Sequence, residues 1–449
     1  MFRRLLIANR GEIARRINAV ARGLGVETVA VYSDADRDLP FVKEADQAMR
    51  LGPAPARESY LNVEAVLDAA RRTGAEAIHP GYGFLSENAA FACAVREAGL
   101  TFVGPPAEAM ERMKDKSQAR RIVAAAGVPI VPGSGEVVPD VRAAIAEAER
   151  IGYPVLCKAA GGGGGIGMAV ARDERDLEKA FRQCSDRARS AFGREGIYLE
   201  RYFSAPRHIE VQILGDHHGH TVHVLERECS IQRRHQKVVE EAPSPLFQDG
   251  RHLEARQALF DAALAAARAF DYANAGTVEF LWAEGGFYFI EMNARLQVEH
   301  PVTELTTGVD LIAWQLCIAA GQPLTVDQDD IRRRGAAIEM RVYAEDPVTF
   351  FPSPGTIRVY RPPQIDGVRV DSGYAEGSVV TPHYDPMIAK LIASGTNRDE
   401  AIARAVEALE RFAIEGIKTN IPLHLRILRA PAFREGKLDT RFLEHHARP

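Results

Sequence analysis

The sequence predicts a multidomain chain of mixed α/β and α+β class, with a parallel sheet near its N-terminus. Over the first hundred residues or so, strand-like apolar segments alternate with helical segments, which is typical of βαβ units. Beyond Pro105, strand-like segments become more frequent and the pattern changes to α+β. At 449 residues the chain is too long for a single core, so two or three domains are expected.

The N-terminal elements are short apolar runs bounded by turn residues. The predicted strands are Arg4–Ala8, Glu27–Tyr32, Ala75–His79 and Thr101–Val103, and the predicted helices are Glu12–Leu24, Leu61–Arg72 and Glu87–Ala98. Open parallel sheets bind ligands beyond the carboxyl ends of their strands. Asn9–Gly11 and His79–Gly83 follow two such ends and are therefore candidate ligand-binding loops.

The rest of the chain is predicted to carry more strands than helices. The predicted helices are Ala107–Ala126, Asp140–Ile151 and Phe260–Phe270, and the predicted strands are Tyr153–Ala159, Met168–Ala171, Ile197–Arg201, His208–Leu214, Val222–Arg227, Gly276–Leu281, Phe287–Met292, Ala337–Tyr343, Thr356–Tyr360 and Met387–Ser394. Ile402, Val406, Leu409 and Phe412 lie at helical spacing and predict an amphipathic helix near the C-terminus.

Composition excludes several classes of protein. Lys and Arg number 56 against 61 Asp and Glu, so the basic excess of a nucleic-acid binder is missing. The five cysteines are dispersed without a C-x-x-C pair, which argues against a disulfide framework or a zinc site. No apolar run reaches the length of a membrane span, and the N-terminus lacks a signal-peptide core. We therefore expect a cytoplasmic protein that binds neither membranes nor nucleic acid.

Five consecutive glycines, Gly161–Gly165, contribute to a formal match to the dinucleotide fingerprint G-x-G-x-x-G. That fingerprint must open a helix, whereas Met168–Ala171 is predicted to be a strand. A glycine loop between two strands can close its backbone N–H groups over phosphates, and Lys158 would add a point charge. The alternative is a flexible linker, although linkers rarely join two apolar strands. The G-x-x-x-x-G-K-[ST] pattern of a P-loop is absent.

Glu279 and Glu291 are the strongest chemical signal in the residues themselves. The segment Trp282–Gly286 predicts a hairpin, and a three-residue loop would make the two glutamates cross-strand partners. Opposed like charges destabilise a sheet, so the pair calls for a cation. Oxygen ligands without a nearby histidine or cysteine favour Mg²⁺, with Mn²⁺ as second choice. The alternative is a slipped register in which both glutamates face solvent.

Polar residues then recur at every second position: Glu291, Asn293, Arg295, Gln297 and Glu299. In an extended chain they would share one face and offer metal ligands, an arginine for an anion and a candidate base. An ordinary amphipathic edge strand gives the same pattern and remains the alternative.

The basic segment Gln232–Lys237 follows a predicted strand. It could present His235 and Lys237 to an anionic substrate, although such clusters are also common on solvated surfaces.

Together these stretches resemble the biotin carboxylase family over nearly the whole chain. The resemblance is carried by the glycine run and by the longer strings Ile7–Ala14, His79–Asn88, Gln232–Pro243 and Glu291–Glu304. It implies a Rossmann-like N-terminal domain over residues 1–113, an ATP-grasp core over 114–330 with a mobile lid at about 132–202, and a β-rich C-terminal domain over 331–449.

The resemblance implies a ligase that forms a C–N bond. Such an enzyme uses MgATP, or MnATP, and bicarbonate to carboxylate biotin through carboxyphosphate. This is the first half-reaction of an acyl-CoA carboxylase, with acetyl-CoA and fatty acid biosynthesis as the favoured context. The implied partners are a biotin carboxyl carrier protein, a carboxyltransferase subunit and a second copy of the chain. No Ala-Met-Lys-Met biotin-attachment motif occurs, so biotin is expected on another protein or on another part of the polypeptide.

The resemblance also implies roles for individual residues. For ATP these are Lys116, Lys158, Gly164 and Gly165 at the phosphates, Glu200, Arg201, Tyr202 and Phe203 at the adenine, His208, Gln232 and His235 in the pocket, and Glu279, Glu291 and Asn293 at the metal. For bicarbonate they are Lys237, Arg295, Gln297, Val298 and Glu299, with Glu299 as the base. For biotin they are Tyr82, Arg341 and Asp385, with Arg341 stabilising an enolate-like oxygen. Lys237, Arg295, Glu299 and Arg341 are the implied catalytic residues.

The sequence departs from the family pattern at Ile166 and Ala169, where basic residues are usual, so the tip of the expected lid carries less positive charge. Three other functions compete with the family's own. They are another ATP-grasp ligase, a catalytically silent subunit, and a nicotinamide oxidoreductase suggested by the glycine fingerprint.

Overall fold

The computed structural model describes residues 1–159, 168–192, 196–234 and 236–447. Gly164, Gly165, Ile166 and His235 lie outside the described residues. Within the described ranges, no helix has both the length and the apolar character needed to cross a bilayer.

The N-terminal part is a five-stranded parallel sheet in the order β3-β2-β1-β4-β5, as the alternating pattern predicts. Its elements are β1 (Arg4–Ile7), α1 (Gly11–Gly23), β2 (Glu27–Ser33), α2 (Pro40–Glu44), β3 (Gln47–Gly52), α3 (Val63–Thr73), β4 (Ala77–His79), α4 (Ala89–Glu97) and β5 (Thr101–Phe102). Sequence patterning did not predict β3, because this edge strand is largely exposed and lacks an apolar run.

The single helix predicted over Ala107–Ala126 is wrong. The structure has two helices, α5 (Ala107–Lys114) and α6 (Lys116–Ala125), separated by Asp115. The extended backbone of Asp115 ends α5, and its carboxylate accepts hydrogen bonds from the first-turn amides of α6. The break places Lys116 at the start of a helix rather than inside one.

A small three-stranded antiparallel sheet follows, in the order β7-β6-β8. It comprises β6 (Val155–Ala159), β7 (Met168–Ala171) and β8 (Ile197–Arg201), with α7 (Val141–Ile151) and α8 (Glu174–Phe192) packed against it around a separate apolar core. The residues on either side of the glycine run are therefore paired antiparallel strands. This confirms the two strands predicted on either side of the run and contradicts the strand–helix context of a dinucleotide fingerprint.

The largest sheet is antiparallel throughout and has eight strands in the order β13-β12-β9-β10-β11-β14-β19-β17. From β9 onward the strands are β9 (Arg207–Gly215), β10 (Thr221–Arg233), β11 (Gln236–Ala242), β12 (Asn274–Ala283), β13 (Gly286–Asn293), β14 (Ala336–Tyr343), β15 (Gly355–Thr356), β16 (Val359–Arg361), β17 (Val368–Ser372), β18 (Val379–Val380), β19 (Met387–Gly395) and β20 (Ala413–Glu415). The predicted strand Thr356–Tyr360 is split between β15 and β16, which pair with β18 and β20 respectively.

Helices cover this sheet and close the C-terminal part of the chain. They are α9 (Leu253–Ala269), α10 (His300–Thr307), α11 (Leu311–Ala319), α12 (Arg398–Arg411), α13 (Ile421–Arg429), α14 (Pro431–Arg434) and α15 (Phe442–His446), with 3₁₀ turns at Asp34–Asp36, Ala56–Glu58, Pro245–Gly250 and Gln328–Asp330. The predicted C-terminal amphipathic helix is α12, whose apolar face packs on β19.

The start of α1 packs closely against the segment after β17. A Cβ atom added at Gly373 would lie 2.7 Å from the Cα atom of Gly11 and 2.8 Å from the amide nitrogen of Glu12. We expect Gly373→Ala to lower the free energy of unfolding by about 1–3 kcal/mol, because both neighbours are backbone. Denaturant unfolding measures this loss. Gly23→Ala is the matched control, since its Cβ would meet no described atom within 4 Å beyond its chain neighbours and the backbone of its own helix. Equal stability of the two variants would contradict this close packing.

Candidate active site

A cleft of about 1330 Å³ lies between the carboxyl ends of the N-terminal strands, the three-stranded sheet and one face of the eight-stranded sheet. Most of the residues with a predicted role line it. They are Tyr82, Lys116, Lys158, Glu200, Arg201, Tyr202, Phe203, His208, Gln232, Lys237, Glu279, Glu291, Asn293, Arg295, Gln297, Val298, Arg341 and Asp385. Glu299 lies behind the wall, fully buried, and contacts the lining residues Lys237 and Arg341.

The hairpin of β12 and β13 pairs Glu279 with Glu291, as predicted, but by a different route. The loop has two residues, Glu284 and Gly285, and not three. Both have positive φ, 52° and 79°, as a type I′ turn requires. A bulge at Ile290 inserts one extra residue in β13 and restores the predicted pairing. The shorter loop and the bulge offset each other in the register, so Glu279 and Glu291 still pair and both carboxylates lie on the same face.

Glu279 is the more buried of the two and accepts bonds from several donors. Its Oε1 atom accepts from Lys237 Nζ at 2.9 Å, Asn293 Nδ2 at 2.9 Å and Gln297 Nε2 at 3.0 Å, and His208 Nε2 lies 3.1 Å from Oε2. Burial disfavours the ionised carboxylate, but the charge of Lys237 and the contact with His208 outweigh it, so the pKa of Glu279 lies well below its usual value. Glu279 is therefore an anion facing the cleft.

The prediction that no histidine or cysteine lies near the carboxylates is wrong. His208 contacts Glu279 because β9 lies beside β12 in the sheet, which the local sequence pattern does not reveal. Cys229 Sγ lies 3.9 Å from Glu299 Oε1. Burial raises the pKa of Cys229 well above its usual value, so this thiol stays protonated.

Lys237 lies at the centre of the site. Its ammonium group donates to Glu210 Oε2 at 2.5 Å, Glu279 Oε1 at 2.9 Å and Glu299 Oε1 at 2.6 Å. Burial disfavours the charge, but the three carboxylates outweigh it and raise the pKa of Lys237 well above its usual value. A permanent positive charge therefore lies between the carboxylate pair and Glu299.

Glu299 is held between two cations. Its second oxygen accepts from Arg341 Nη2 at 2.8 Å, and Arg341 Nε donates to Glu240 at 2.6 Å. Burial alone would raise the pKa of Glu299, but Lys237, Arg341 and Arg227 outweigh it and lower the pKa well below its usual value. Glu299 is therefore ionised and able to accept a proton.

The polar alternation after Glu291 does not form one extended strand, so that part of the prediction is wrong. β13 ends at Asn293, the chain bends, and α10 begins at His300. The bend lets Arg295 donate to Gln297 Oε1 at 3.0 Å and to Asn293 Oδ1 at 3.3 Å. The polar side chains still meet at the cleft, but through a folded loop rather than along a strand face.

The side of the cleft beneath the three-stranded sheet carries two further lysines. Lys158 contacts the carboxylate of Glu200, which also accepts from Arg120 Nη1 at 2.6 Å, and Lys116 Nζ lies 2.9 Å from Glu291. Nearby, the ring of Phe203 stacks on that of Tyr288 at 5.1 Å, which gives this end of the cleft an aromatic wall. The arrangement combines a flat apolar surface with cations suited to phosphate groups.

The opposite end brings together Tyr82, Arg341 and Asp385 from three separate segments. The Tyr82 hydroxyl is buried and meets no hydrogen-bond partner among the described residues. Asp385 Oδ1 accepts from the amide of Met387 at 2.9 Å, which anchors the segment before β19.

Sequence reasoning missed several charged residues of the site: the buried Glu210, Arg227 and Glu240, and the exposed Glu87. Glu210 pairs in register with Glu279 on one side and Arg227 on the other, so one polar row crosses the sheet. Glu210 alternates with His208 and Gln212 on β9, and that period of two was the available signal. Arg295 Nε lies 3.0 Å from Glu87 Oε1. No local sequence pattern predicts this contact, because the two residues are far apart in the chain.

Comparison with known proteins agrees with this geometry. Residues 1–110 match the family described as biotin carboxylase, N-terminal domain, residues 115–327 match the carbamoyl-phosphate synthase L chain, ATP binding domain, and residues 339–445 match the biotin carboxylase C-terminal domain. The biotin carboxylase of Halalkalibacterium halodurans is 52% identical over 447 residues, which cover 99% of this chain and 98% of the relative. The chain belongs to the biotin carboxylase family.

Solved structures of biotin carboxylases have the same fold. The biotin carboxylase–β-γ-ATP complex from Campylobacter jejuni superimposes with a TM-score of 0.93 at 45% identity, covering 99% of both chains. The biotin carboxylase domain dimer of Hydrogenobacter thermophilus 2-oxoglutarate carboxylase, in complex with MgADP, ADP and bicarbonate, superimposes with a TM-score of 0.91 at 47% identity, covering 99% of this chain and 98% of that one.

Proposed function

We propose that this chain carboxylates biotin at the expense of ATP, with bicarbonate as the carboxyl source and carboxyphosphate as the intermediate. The observation that carries the proposal is the row Glu279–Lys237–Glu299–Arg341, which joins a carboxylate for the metal, a fixed cation, an ionised base and a second cation in one cleft. Such a row suits a reaction in which an anion loses a proton beside a phosphoryl donor.

The residues at the nucleotide end fit MgATP. Carboxylate oxygens of Glu279 and Glu291, with the Asn293 side chain beside them, form the oxygen-rich set that Mg²⁺ or Mn²⁺ prefers. When bound, the metal neutralises charge on the transferring phosphoryl group. Lys116 and Lys158 supply further positive charge, and Glu200 to Phe203 form the wall for the adenine. Gln232 donates to His208 at 2.9 Å and completes the pocket.

In the first step, bicarbonate lies beside Lys237 and Arg295, with Gln297 and Val298 completing its pocket. Glu299 accepts the bicarbonate proton, and the resulting oxyanion attacks the γ-phosphorus while the bond to ADP breaks. A carboxylate held as strongly ionised as Glu299 is a weak base. Bound bicarbonate raises the basicity of Glu299, because it shares the Lys237 ammonium that otherwise stabilises the ionised carboxylate.

In the second step, carboxyphosphate breaks into CO₂ and phosphate. The phosphate accepts the proton from the biotin ureido nitrogen, and that nitrogen forms the new bond to CO₂. Arg341 stabilises the negative charge on the ureido oxygen, with Tyr82 and Asp385 orienting biotin. Water must be excluded throughout, since carboxyphosphate otherwise hydrolyses.

Glu291→Ala tests the metal role. Loss of one carboxylate leaves Lys116 without its partner and weakens divalent-ion binding, so we expect the Mg²⁺ concentration for half-maximal activity to rise at least roughly tenfold, or activity to disappear. ATP cleavage measured against Mg²⁺ concentration gives this value. Glu254→Ala, at the exposed start of α9 and outside the cleft, is the control and should behave as the unaltered enzyme. Normal activity of Glu291→Ala at low Mg²⁺ would remove Glu291 from the metal site.

We propose the domain limits 1–113, 114–330 and 331–449, with the lid at about 132–202; the three matched family ranges support them.

We further propose a cytoplasmic homodimer that works with a biotin carboxyl carrier protein and a carboxyltransferase. Acetyl-CoA, in fatty acid biosynthesis, is the favoured acceptor, although the 2-oxoglutarate carboxylase relative serves another. Co-purification and mass spectrometry of the biotinylated partner test these assignments together.

A direct assay separates the proposal from another ATP-grasp ligase. Free biotin, bicarbonate and MgATP should yield carboxybiotin, and ATP cleavage should require bicarbonate. ATP cleavage that depends on an amino acid or on ammonia instead would favour the other ligases.

A further inference from the structure

Two buried glutamates lie next to Arg341 without sufficient hydrogen-bond donors. Glu240 on β11 and Glu339 on β14 are register partners in the sheet, and both side chains are fully buried. Arg341 Nε donates to Glu240 Oε1 at 2.6 Å. Glu240 Oε2 and both oxygens of Glu339 have no hydrogen-bond partner within the part of the chain that the structure describes.

The neighbouring cations are engaged elsewhere. The Nη2 atom of Arg341 donates to Glu299, and Lys237 donates to carboxylates on the other side of Glu299. Lys390 donates to the carbonyl oxygen of Val298 at 2.8 Å and lies 3.3 Å from Glu12. An ionised Glu339 would therefore lie directly opposite a charge of the same sign without a hydrogen-bond donor, and the charges of Lys390 and Arg341 would offset its burial only in part.

A shared proton resolves this conflict. Directly opposed carboxylates in a fully buried site disfavour double ionisation at neutral pH, and a neutral carboxylic acid can donate the bond that its partner lacks. Burial, together with the nearby charge of Glu240 and against that of Lys390, raises the pKa of Glu339 well above its usual value. Burial likewise raises the pKa of Glu240 to about 7, against the opposing charge of Arg341.

We propose that Glu339 is a neutral carboxylic acid at neutral pH, that its hydroxyl donates to Oε2 of Glu240, and that this bond positions Arg341. The inference rests on the proposed function, in which Arg341 acts on biotin. Glu240 is fixed at both oxygens, by Arg341 on one side and by Glu339 on the other. Arg341 then keeps one nitrogen on Glu240 and another on Glu299. The proton on Glu339 remains separate from Glu299, the proposed base. Glu339 is thus a positioning residue that contacts no substrate.

The kinetic test compares two substitutions at Glu339. Glu339→Gln keeps a donor of the same shape and should leave biotin-dependent turnover close to that of the unaltered enzyme. Glu339→Leu removes the donor and should lower biotin-dependent kcat roughly tenfold. Bicarbonate-dependent ATP cleavage without biotin should fall much less, because Lys237 still holds Glu299, and the KM for ATP should not change. Two outcomes would overturn the positioning role. One is an equal loss of biotin-dependent kcat in Glu339→Gln and Glu339→Leu; the other is a loss of ATP cleavage as large as the loss of biotin carboxylation.

The proton itself is measured by infrared difference spectroscopy at neutral pH, independently of activity. The unaltered protein minus Glu339→Gln should show the carbonyl band of a protonated carboxylic acid, shifted in D₂O. Glu226→Gln is the control, because Glu226 is equally buried but is paired with Arg256 and Arg333 and should contribute no such band. A carboxylate band in place of the acid band at Glu339 would refute the proposal, whatever the enzyme's activity on biotin proves to be.

Discussion

Glu299→Gln is expected to abolish bicarbonate-dependent ATP cleavage while ATP binding survives. Glutamine keeps the shape of the side chain but cannot accept the bicarbonate proton, and loss of a general base costs about 10²–10⁴-fold in rate. The variant should still fold, because Lys237 retains Glu210 and Glu279, and Arg341 retains Glu240. The rate of ADP formation with and without bicarbonate measures the effect, and nucleotide titration measures binding.

Glu241→Gln is the matched control for this result. Glu241 is also buried and lies on β11, but it forms an ion pair with Arg398 and does not line the cleft. It should retain turnover. Undiminished bicarbonate-dependent cleavage in Glu299→Gln would exclude Glu299 as the base and move that role to another group in the cleft.

Lys237→Met is expected to remove both activity and much of the stability. Methionine fills a similar volume but leaves Glu210, Glu279 and Glu299 without their shared cation. Removing one partner from a buried ionic cluster costs about 3–5 kcal/mol. Turnover should fall below detection, since bicarbonate loses its fixed positive charge. Lys237→Arg separates the two effects: it should recover stability, while a broad fork in place of a compact ammonium keeps activity low.

The acid dependence of stability should weaken in Lys237→Met. In the unaltered protein the pKa values of Glu279 and Glu299 lie below their usual value of 4.5, so their stabilisation is present above that pH and is lost as pH falls. Without Lys237, both pKa values rise, although His208 still opposes burial at Glu279 and Arg341 and Arg227 still oppose it at Glu299. The variant should then lose less stability than the unaltered protein as pH falls below about 4.5. Urea midpoints across this range provide the measurement; parallel curves for the two proteins would contradict the central role of Lys237.

Local patterning was sufficient for much of the fold. Alternating strands and helices predicted the parallel N-terminal sheet, and the strands on either side of the glycine run were correctly distinguished from a strand–helix unit. Prediction from local patterning failed where the sequence had no periodic signal. The exposed edge strand β3 has no apolar run, and the break at Asp115 depends on one capping side chain inside an otherwise helical pattern.

By itself, the sequence predicted that Glu279 pairs with Glu291 and that polar residues gather around them, although the loop length and the bulge at Ile290 were seen only in the structure. Hairpin pairing is a short-range property, governed by a few turn residues and an alternation of two. Only the tertiary structure decided that Lys237 meets three carboxylates, that His208 reaches Glu279, and that Glu339 lies opposite Glu240. These contacts depend on the order β12-β9-β10-β11-β14 within the sheet. That order results from burial of apolar faces contributed by distant segments, which no local periodicity records.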